Sequence, residues 1–186
     1  MGLLFWGTLL AIVLLDLSLL ATLAVSNVRV WPPPGRRSWE YWFTWTLFGA
    51  AATGVIVVGG LDRGSLGLAR WVGASVPFIF GSLLVVSGTA IASYPMGYIG
   101  RRAALGLTDE LVTDGPYSVS RNPAYVGDLT MLVGYTVLSD SRLVGVLVLA
   151  GAVWFLLAPY AEEPWLETHY GEAYRRYKAS HPRWLL

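Results

Sequence analysis

Apolar residues in this chain come in long, nearly unbroken blocks joined by polar stretches. Leu3–Val25, Trp42–Leu61, Trp71–Ser93, Pro123–Ser139 and Leu143–Tyr160 hold only two charges between them, Asp16 and Asp128. A helix needs about 20 mostly apolar residues to cross a bilayer, and each block reaches or approaches that length. The pattern therefore predicts an all-α polytopic membrane protein with five transmembrane helices. Only Asp140, Ser141 and Arg142 separate the last two blocks, so they are predicted to form a tight antiparallel hairpin. No internal repeat or boundary divides residues 1–186, which read as one domain. Three spans lie in 1–93, and the longer polar stretches and the hairpin lie in 94–186.

Composition agrees and narrows the classes. Apolar residues make up 55% of the chain and charged residues only 13%, against about 25% charged in a soluble domain. Mean hydropathy is +0.54. Soluble, disordered and coiled-coil readings are excluded on these values. A net charge of +1 gives no footprint for nucleic acid. The absence of cysteine excludes disulfides, thiolate metal sites and a thiol nucleophile. His169 and His181 are too few to build a metal centre, so none is expected. Chemistry must fall to carboxylates, arginines, tyrosines or a bound organic cofactor. The first block is longer than the apolar core of a signal peptide, and no basic residue precedes it. It is expected to be retained.

Basic residues set the expected orientation. Arg29, Arg36, Arg37, Arg101, Arg102, Arg121, Arg175, Arg176, Lys178 and Arg183 fall on one side, and Arg63, Arg70 and Arg142 on the other. The first side is predicted to be cytoplasmic, which puts the N-terminus outside and the C-terminus inside. Trp6, Trp39, Trp42, Trp71 and Trp154 lie near span ends, where an aromatic belt belongs.

The two long polar stretches, Tyr94–Asn122 and Ala161–Leu186, are predicted to converge on the cytoplasmic mouth of the hairpin. Pro159 and Pro164 are expected to break the fifth span. Beyond them Leu166, Tyr170, Ala173, Tyr174 and Tyr177 form one apolar stripe, which predicts a C-terminal amphipathic helix on the membrane surface. Glu172 and Arg176 are spaced to pair on its other face. Glu162 and Glu163 sit at the end of an apolar helix, where acids are mildly unfavourable. They point to a cationic partner: a ligand, or Arg101, Arg102 or Arg121. Before the fourth span, Asn122 suits an N-cap and Pro123 the first helical position. Arg121 beside free helix N–H groups makes an anion site. Asp128, one to two turns into its span, is expected to reach the cytoplasmic mouth. Asp16, near mid-span, is expected to make a satisfied packing contact.

Two blocks carry a resemblance. The first reads Gly115-Pro116-Tyr117, then Arg121-Asn122-Pro123-Ala124-Tyr125-Val126-Gly127. The second reads Glu162-Glu163-Pro164-Trp165-Leu166, then Tyr170-Gly171-Glu172-Ala173-Tyr174 and Tyr177-Lys178, with a closing Pro182-Arg183-Trp184-Leu185. In this order around a tight hairpin they resemble the isoprenylcysteine carboxyl methyltransferase family and its phospholipid methyltransferase relatives, over roughly residues 95–186. The resemblance implies a membrane methyltransferase that uses S-adenosylmethionine. It implies cofactor contacts at Tyr117, Arg121, Asn122, Pro123, Tyr125, Gly127, Glu162, Glu163 and Tyr174. Glu163 and Asp128 are the candidate catalytic residues, Asp128 as the nearest carboxylate to take a proton from an amine acceptor. Asn122 stands where many members have His, so a proton-transfer role does not carry over to that position.

The implied cofactor suits the residues. Arg121 and the helix N-terminus match its carboxylate, Glu162 or Glu163 its ammonium or ribose, and Tyr117 and Tyr125 its sulfonium. A lipidic or prenylated acceptor is expected from the bilayer, most like that of a carboxyl O-methyltransferase. The runner-up is a phospholipid N-methyltransferase. A nicotinamide-dependent membrane reductase shares a similar C-terminal block. A non-enzymatic membrane protein leaves the clustered Arg121, Glu162 and Glu163 unexplained.

Overall fold

The structure, a computed structural model, describes residues 1–25, 27–104 and 111–185, the side chains of 98–104 excepted. Arg101 and Arg102, two of the expected partners of Glu162 and Glu163, therefore lie outside the described side chains. Seven α-helices occur among the described residues: α1 (Gly2–Ala24), α2 (Trp39–Leu61), α3 (Leu68–Val72), α4 (Ser75–Ala104), α5 (Pro123–Ser139), α6 (Arg142–Tyr170) and α7 (Glu172–Ser180). A 3-10 turn, Gly115–Ser118, precedes α5. Among the described residues four stretches are long and apolar enough to cross a membrane: Gly2–Ala24, Trp39–Leu61, Ser75–Gly97 and Arg142–Tyr170. Helix α5 has 17 residues.

Helix boundaries depart from the sequence reading at glycines and prolines. The third apolar block does not start a helix at Trp71. Gly73, with φ +83°, interrupts it, leaving the short α3 and a fresh start at Ser75. At its other end α4 passes through Pro95 to Ala104, into the polar stretch that follows the third apolar block. Helix α6 likewise runs through both Pro159 and Pro164 to Tyr170. A proline costs one backbone hydrogen bond, and a long helix supported by neighbours tolerates that loss; Pro159 is fully buried. The break falls at Gly171 instead, whose φ of +56° a side chain tolerates poorly.

Helices α4 and α5 form the closest pair. Gly88 on α4 meets Gly127 on α5, while Gly81 faces Leu138 of α5 and Gly134 faces Leu84 and Val85 of α4. A Cβ on Gly88 would lie 2.4 Å from the Met131 amide nitrogen, and one on Gly127 would lie 2.2 Å from that of Ala92. Both contacts are with backbone, so only glycine permits this approach. The seven-residue spacing on each helix returns the glycines to one face after two turns. Helices α1, α2 and α6 pack around Ala11, Ile12, Val55, Val58, Val144 and Leu147. A second layer holds Leu15, Leu19, Trp31, Trp154 and Ala158.

Trp6, Trp39, Trp42 and Trp71 are exposed, but Trp154 is buried. It packs edge-on against Trp31 and Phe48, so it is core and not belt. Asp16 also departs from expectation: its Oδ1 is buried without a hydrogen-bond partner.

Candidate active site

Helix geometry assigns the two adjacent glutamates to different tasks. Neighbours on a helix point about 100° apart, so Glu162 and Glu163 face different surroundings. Glu162 accepts hydrogen bonds from Trp31 Nε1–H and the Tyr125 hydroxyl. Trp31 comes from the link between α1 and α2, and Tyr125 from the first turn of α5. This carboxylate thereby ties three distant chain segments together.

Glu163 is the hub of a cation cluster. Arg121 donates to its Oε1 at 2.7 Å. Arg183 donates through Nε to Oε1 at 2.7 Å and through a terminal nitrogen to Oε2 at 2.8 Å. Lys178 lies 3.2 Å from Oε2 and also holds Glu167. Contact first with Glu167, then with Glu163, raises the Lys178 pKa, and Glu163 raises that of Arg183. The expected cationic partner is found for Glu163, where Arg121 supplies it; Glu162 has no ion pair among the described residues and is held by Trp31 and Tyr125 instead. On the outer face of α7 the pair is Glu172 with Arg175, at 3.7 Å, one residue short of the spacing expected with Arg176.

The C-terminal segment straps this cluster down. The Arg121 amide donates to the Pro182 carbonyl. The Arg183 carbonyl accepts from Ser120 Oγ and from Asn122 Nδ2. Asn122 does occupy the N-cap position of α5, with Pro123 following, but its side chain makes no cap bond; the strap takes it instead. The Arg183 guanidinium lies 3.9 Å from the Tyr160 ring centre, a cation–π contact.

The tyrosine stripe is spent inside the protein. Tyr174 and Tyr177 are buried against Tyr117, with Leu166 and Tyr170 packed on them. Gly171 divides the stripe between α6 and α7, and Ala173 is exposed. The surface-helix reading is thus corrected: these rings bind the 3-10 turn, and Tyr177 donates to the Tyr117 carbonyl at 2.7 Å. Burial pushes the Tyr177 phenol up to about 12 and raises Tyr174 and Tyr117 further. All three stay neutral at physiological pH.

These elements enclose a cavity of about 950 Å³. Tyr117, Arg121, Asn122, Pro123, Tyr125, Asp128, Glu162 and Tyr174 all line it. Of the residues singled out from sequence, Gly127 and Glu163 do not. Gly127 is committed to the contact with α4, and Glu163 to its three cations. Beyond Asp128 the wall turns apolar, with Ala51, Val55, Leu132, Leu147 and Val148. Sequence reasoning missed Trp31 as a partner of Glu162 and Arg183 as the bidentate partner of Glu163. Only the closing Pro182-Arg183-Trp184-Leu185 block gave a signal for the second.

The phospholipid methyltransferase family model matches residues 76–173, more than half the chain. The chain belongs to the phospholipid methyltransferase family. It is a membrane methyltransferase on that ground. No curated protein and no solved structure matches it. The match takes in α4, α5 and α6 with Arg121, Tyr125, Asp128, Glu162 and Glu163. It leaves out α1, α2, Trp31, Lys178 and Arg183, so this chain completes the family's region with partners from both flanks.

The site fits S-adenosylmethionine, the cofactor that the family implies. Arg121 lines the cavity, and its Nε–H is buried without a hydrogen-bond partner. Leaving such a donor unmet costs about 1–3 kcal/mol, and a ligand carboxylate would satisfy it. Glu162 offers a carboxylate to an ammonium or hydroxyl, and the aromatic walls suit a sulfonium.

Proposed function

We propose that this protein transfers a methyl group from S-adenosylmethionine to a lipidic or lipid-anchored acceptor, most like an isoprenylcysteine carboxyl O-methyltransferase. One observation carries the reading: a single cavity joins a charged end, at Arg121 and Glu162, to an apolar chamber between α1, α2, α5 and α6. A charged cofactor and a greasy acceptor need both environments in continuity.

When bound, the cofactor supplies an electrophilic methyl group on a sulfonium. The protein's part is to bind, align and exclude water. Arg121 holds the carboxylate. Trp31 and Tyr125 fix Glu162 in one orientation, ready for the ammonium or ribose. Tyr117 and Tyr174, held neutral, form aromatic walls. Asp128, on the wall between the two ends, faces the acceptor. A carboxylate acceptor is already a nucleophile at neutral pH and needs no base.

The reading includes topology. Helix α5 is taken as a fifth span paired with α6, the N-terminus as external, and the C-terminus and cofactor site as cytosolic. The basic-residue asymmetry supports this orientation.

Calorimetric titration of the purified protein with S-adenosylmethionine and NADPH in turn tests the cofactor. Saturable heat is expected with S-adenosylmethionine alone. Binding of NADPH alone would replace this reading with a membrane reductase.

A further inference from the structure

A second site lies at the other end of the helices. There Asp62 closes α2, Ser139 ends α5 and Arg142 begins α6. Asp62 Oδ2 accepts from the Ser65 hydroxyl, the Ser141 hydroxyl and the Leu143 amide. The Asp140 carboxylate accepts from the amides of Leu68 and Ala69. The loop 62–68 is thereby pinned to the α5–α6 link, through one oxygen of Asp62 and both of Asp140.

This frame holds Arg70 and Arg142 on the walls of one cavity of about 380 Å³, together with Leu66, Gly67 and Trp71. No ion pair among the described residues includes either arginine. Asp62 lowers the local positive potential of Arg142 but stays engaged with its three donors. Arg142 is also the first residue of α6, at the positive end of the helix dipole, where a cation is unfavourable. Two exposed arginines on the wall of one cavity, one of them at a helix N-terminus, make a site for an anion.

The surroundings identify the anion's carrier. Trp71 is 88% exposed, and Leu66 and Val72 are exposed beside it. A large aromatic face next to arginines is costly in water and favourable at the headgroup level of a bilayer. We infer that Arg70 and Arg142 bind the phosphodiester of a membrane lipid headgroup on the face opposite the proposed methyl-transfer site, with Trp71 against the lipid's glycerol and upper chain. This does not rest on the methyltransferase reading, and its test does not use methyl transfer.

The test is native mass spectrometry of the full-length detergent-solubilised protein with phosphatidylglycerol, with diacylglycerol of the same chains, or with inorganic phosphate. Phosphatidylglycerol is expected to give a retained one-to-one adduct, and diacylglycerol is not. The Arg70→Gln/Arg142→Gln double variant should bind phosphatidylglycerol at least roughly tenfold more weakly, the effect of losing one charge-assisted bond. An Arg36→Gln/Arg37→Gln variant, at the other end of the helices, should bind like wild type. Its melting temperature and that of the double variant, read alongside, should match wild type. Equal phosphatidylglycerol binding by the double variant would overturn the site. Full occupancy by inorganic phosphate, with no preference for the lipid, would overturn the lipid assignment. Equal loss in the Arg36/Arg37 variant would reduce the effect to net charge and overturn both.

Discussion

Arg121 and Glu163 meet at 2.7 Å with side chains only 8% and 5% exposed, a buried ion pair in which Arg121 lines the cavity and Glu163 does not. Their charges cancel locally, yet the Arg121 Nε–H remains unmet. One residue thus carries a structural bond and a free donor at the same time. Removing either partner strands a buried charge, which typically costs about 3–5 kcal/mol. Glu163→Gln is therefore expected to lower the melting temperature in detergent markedly, because three cations lose their common anion. Glu167→Gln, at the rim and paired among the described residues with Lys178, is expected to stay within about 1 kcal/mol of wild type. Equal melting temperatures for the two variants would remove Glu163 as the hub.

Cofactor affinity separates from stability at Tyr125. Tyr125→Phe keeps the ring packed on Trp154 and Phe155 and deletes only the donor to Glu162. Trp31 still holds that carboxylate. Affinity for S-adenosylmethionine is expected to fall roughly tenfold or more, since a hydrogen bond to a charged group contributes about 1.5–3 kcal/mol. Isothermal titration checks this. Unchanged affinity would place Glu162 outside the cofactor contacts.

The α4–α5 contact predicts where a single methyl group is not tolerated. Gly127→Ala puts a Cβ against the backbone of Ala92, which cannot rotate away. Overpacking of this kind costs about 1–3 kcal/mol or more. Gly145→Ala, where the nearest atom is a methyl of Thr136 at 3.6 Å, should be neutral or slightly stabilising. Thermal unfolding in detergent compares the two.

The acceptor's chemistry has a pH signature. With a carboxylate acceptor, single-turnover methyl transfer should be nearly flat from about pH 6 to about pH 8.5, because the nucleophile is ionised throughout. Asp128→Asn should keep most of the rate. With an amine acceptor the rate should climb about tenfold per pH unit below the amine's pKa, and Asp128→Asn should cripple it. A steep climb with an inactive Asp128→Asn enzyme would select the phospholipid N-methyltransferase.

Orientation is checked with a reporter fused after Leu186. A reporter active only in the cytosol should be active there. Activity of an exported reporter at that position would reverse the topology and move the proposed cofactor site to the other face.

The class of molecule was legible in the order of the residues. Long apolar blocks with two internal charges force helices, because a backbone in lipid must satisfy its own hydrogen bonds. That order also marked the two blocks that meet around the cavity, since Arg121, Tyr125 and Glu162 stood out by charge or position. How those residues are used follows from the packing of the helices. Periodicity gave the tyrosine stripe on α6 and α7 a face, but only packing against Tyr117 made that face internal. Prolines at 159 and 164 looked like breaks; a helix held on several sides absorbed them, and Gly171 broke instead. The adjacent Glu162 and Glu163 were alike as letters. Helical rotation sent one to Trp31 and Tyr125 and the other to Arg121 and Arg183, partners up to 131 residues away in the chain. Gly127 sits within a recognisable motif, yet its role comes from the backbone of α4 pressed against it. Long-range pairing of this kind has no local pattern, because it depends on which helices the fold brings together.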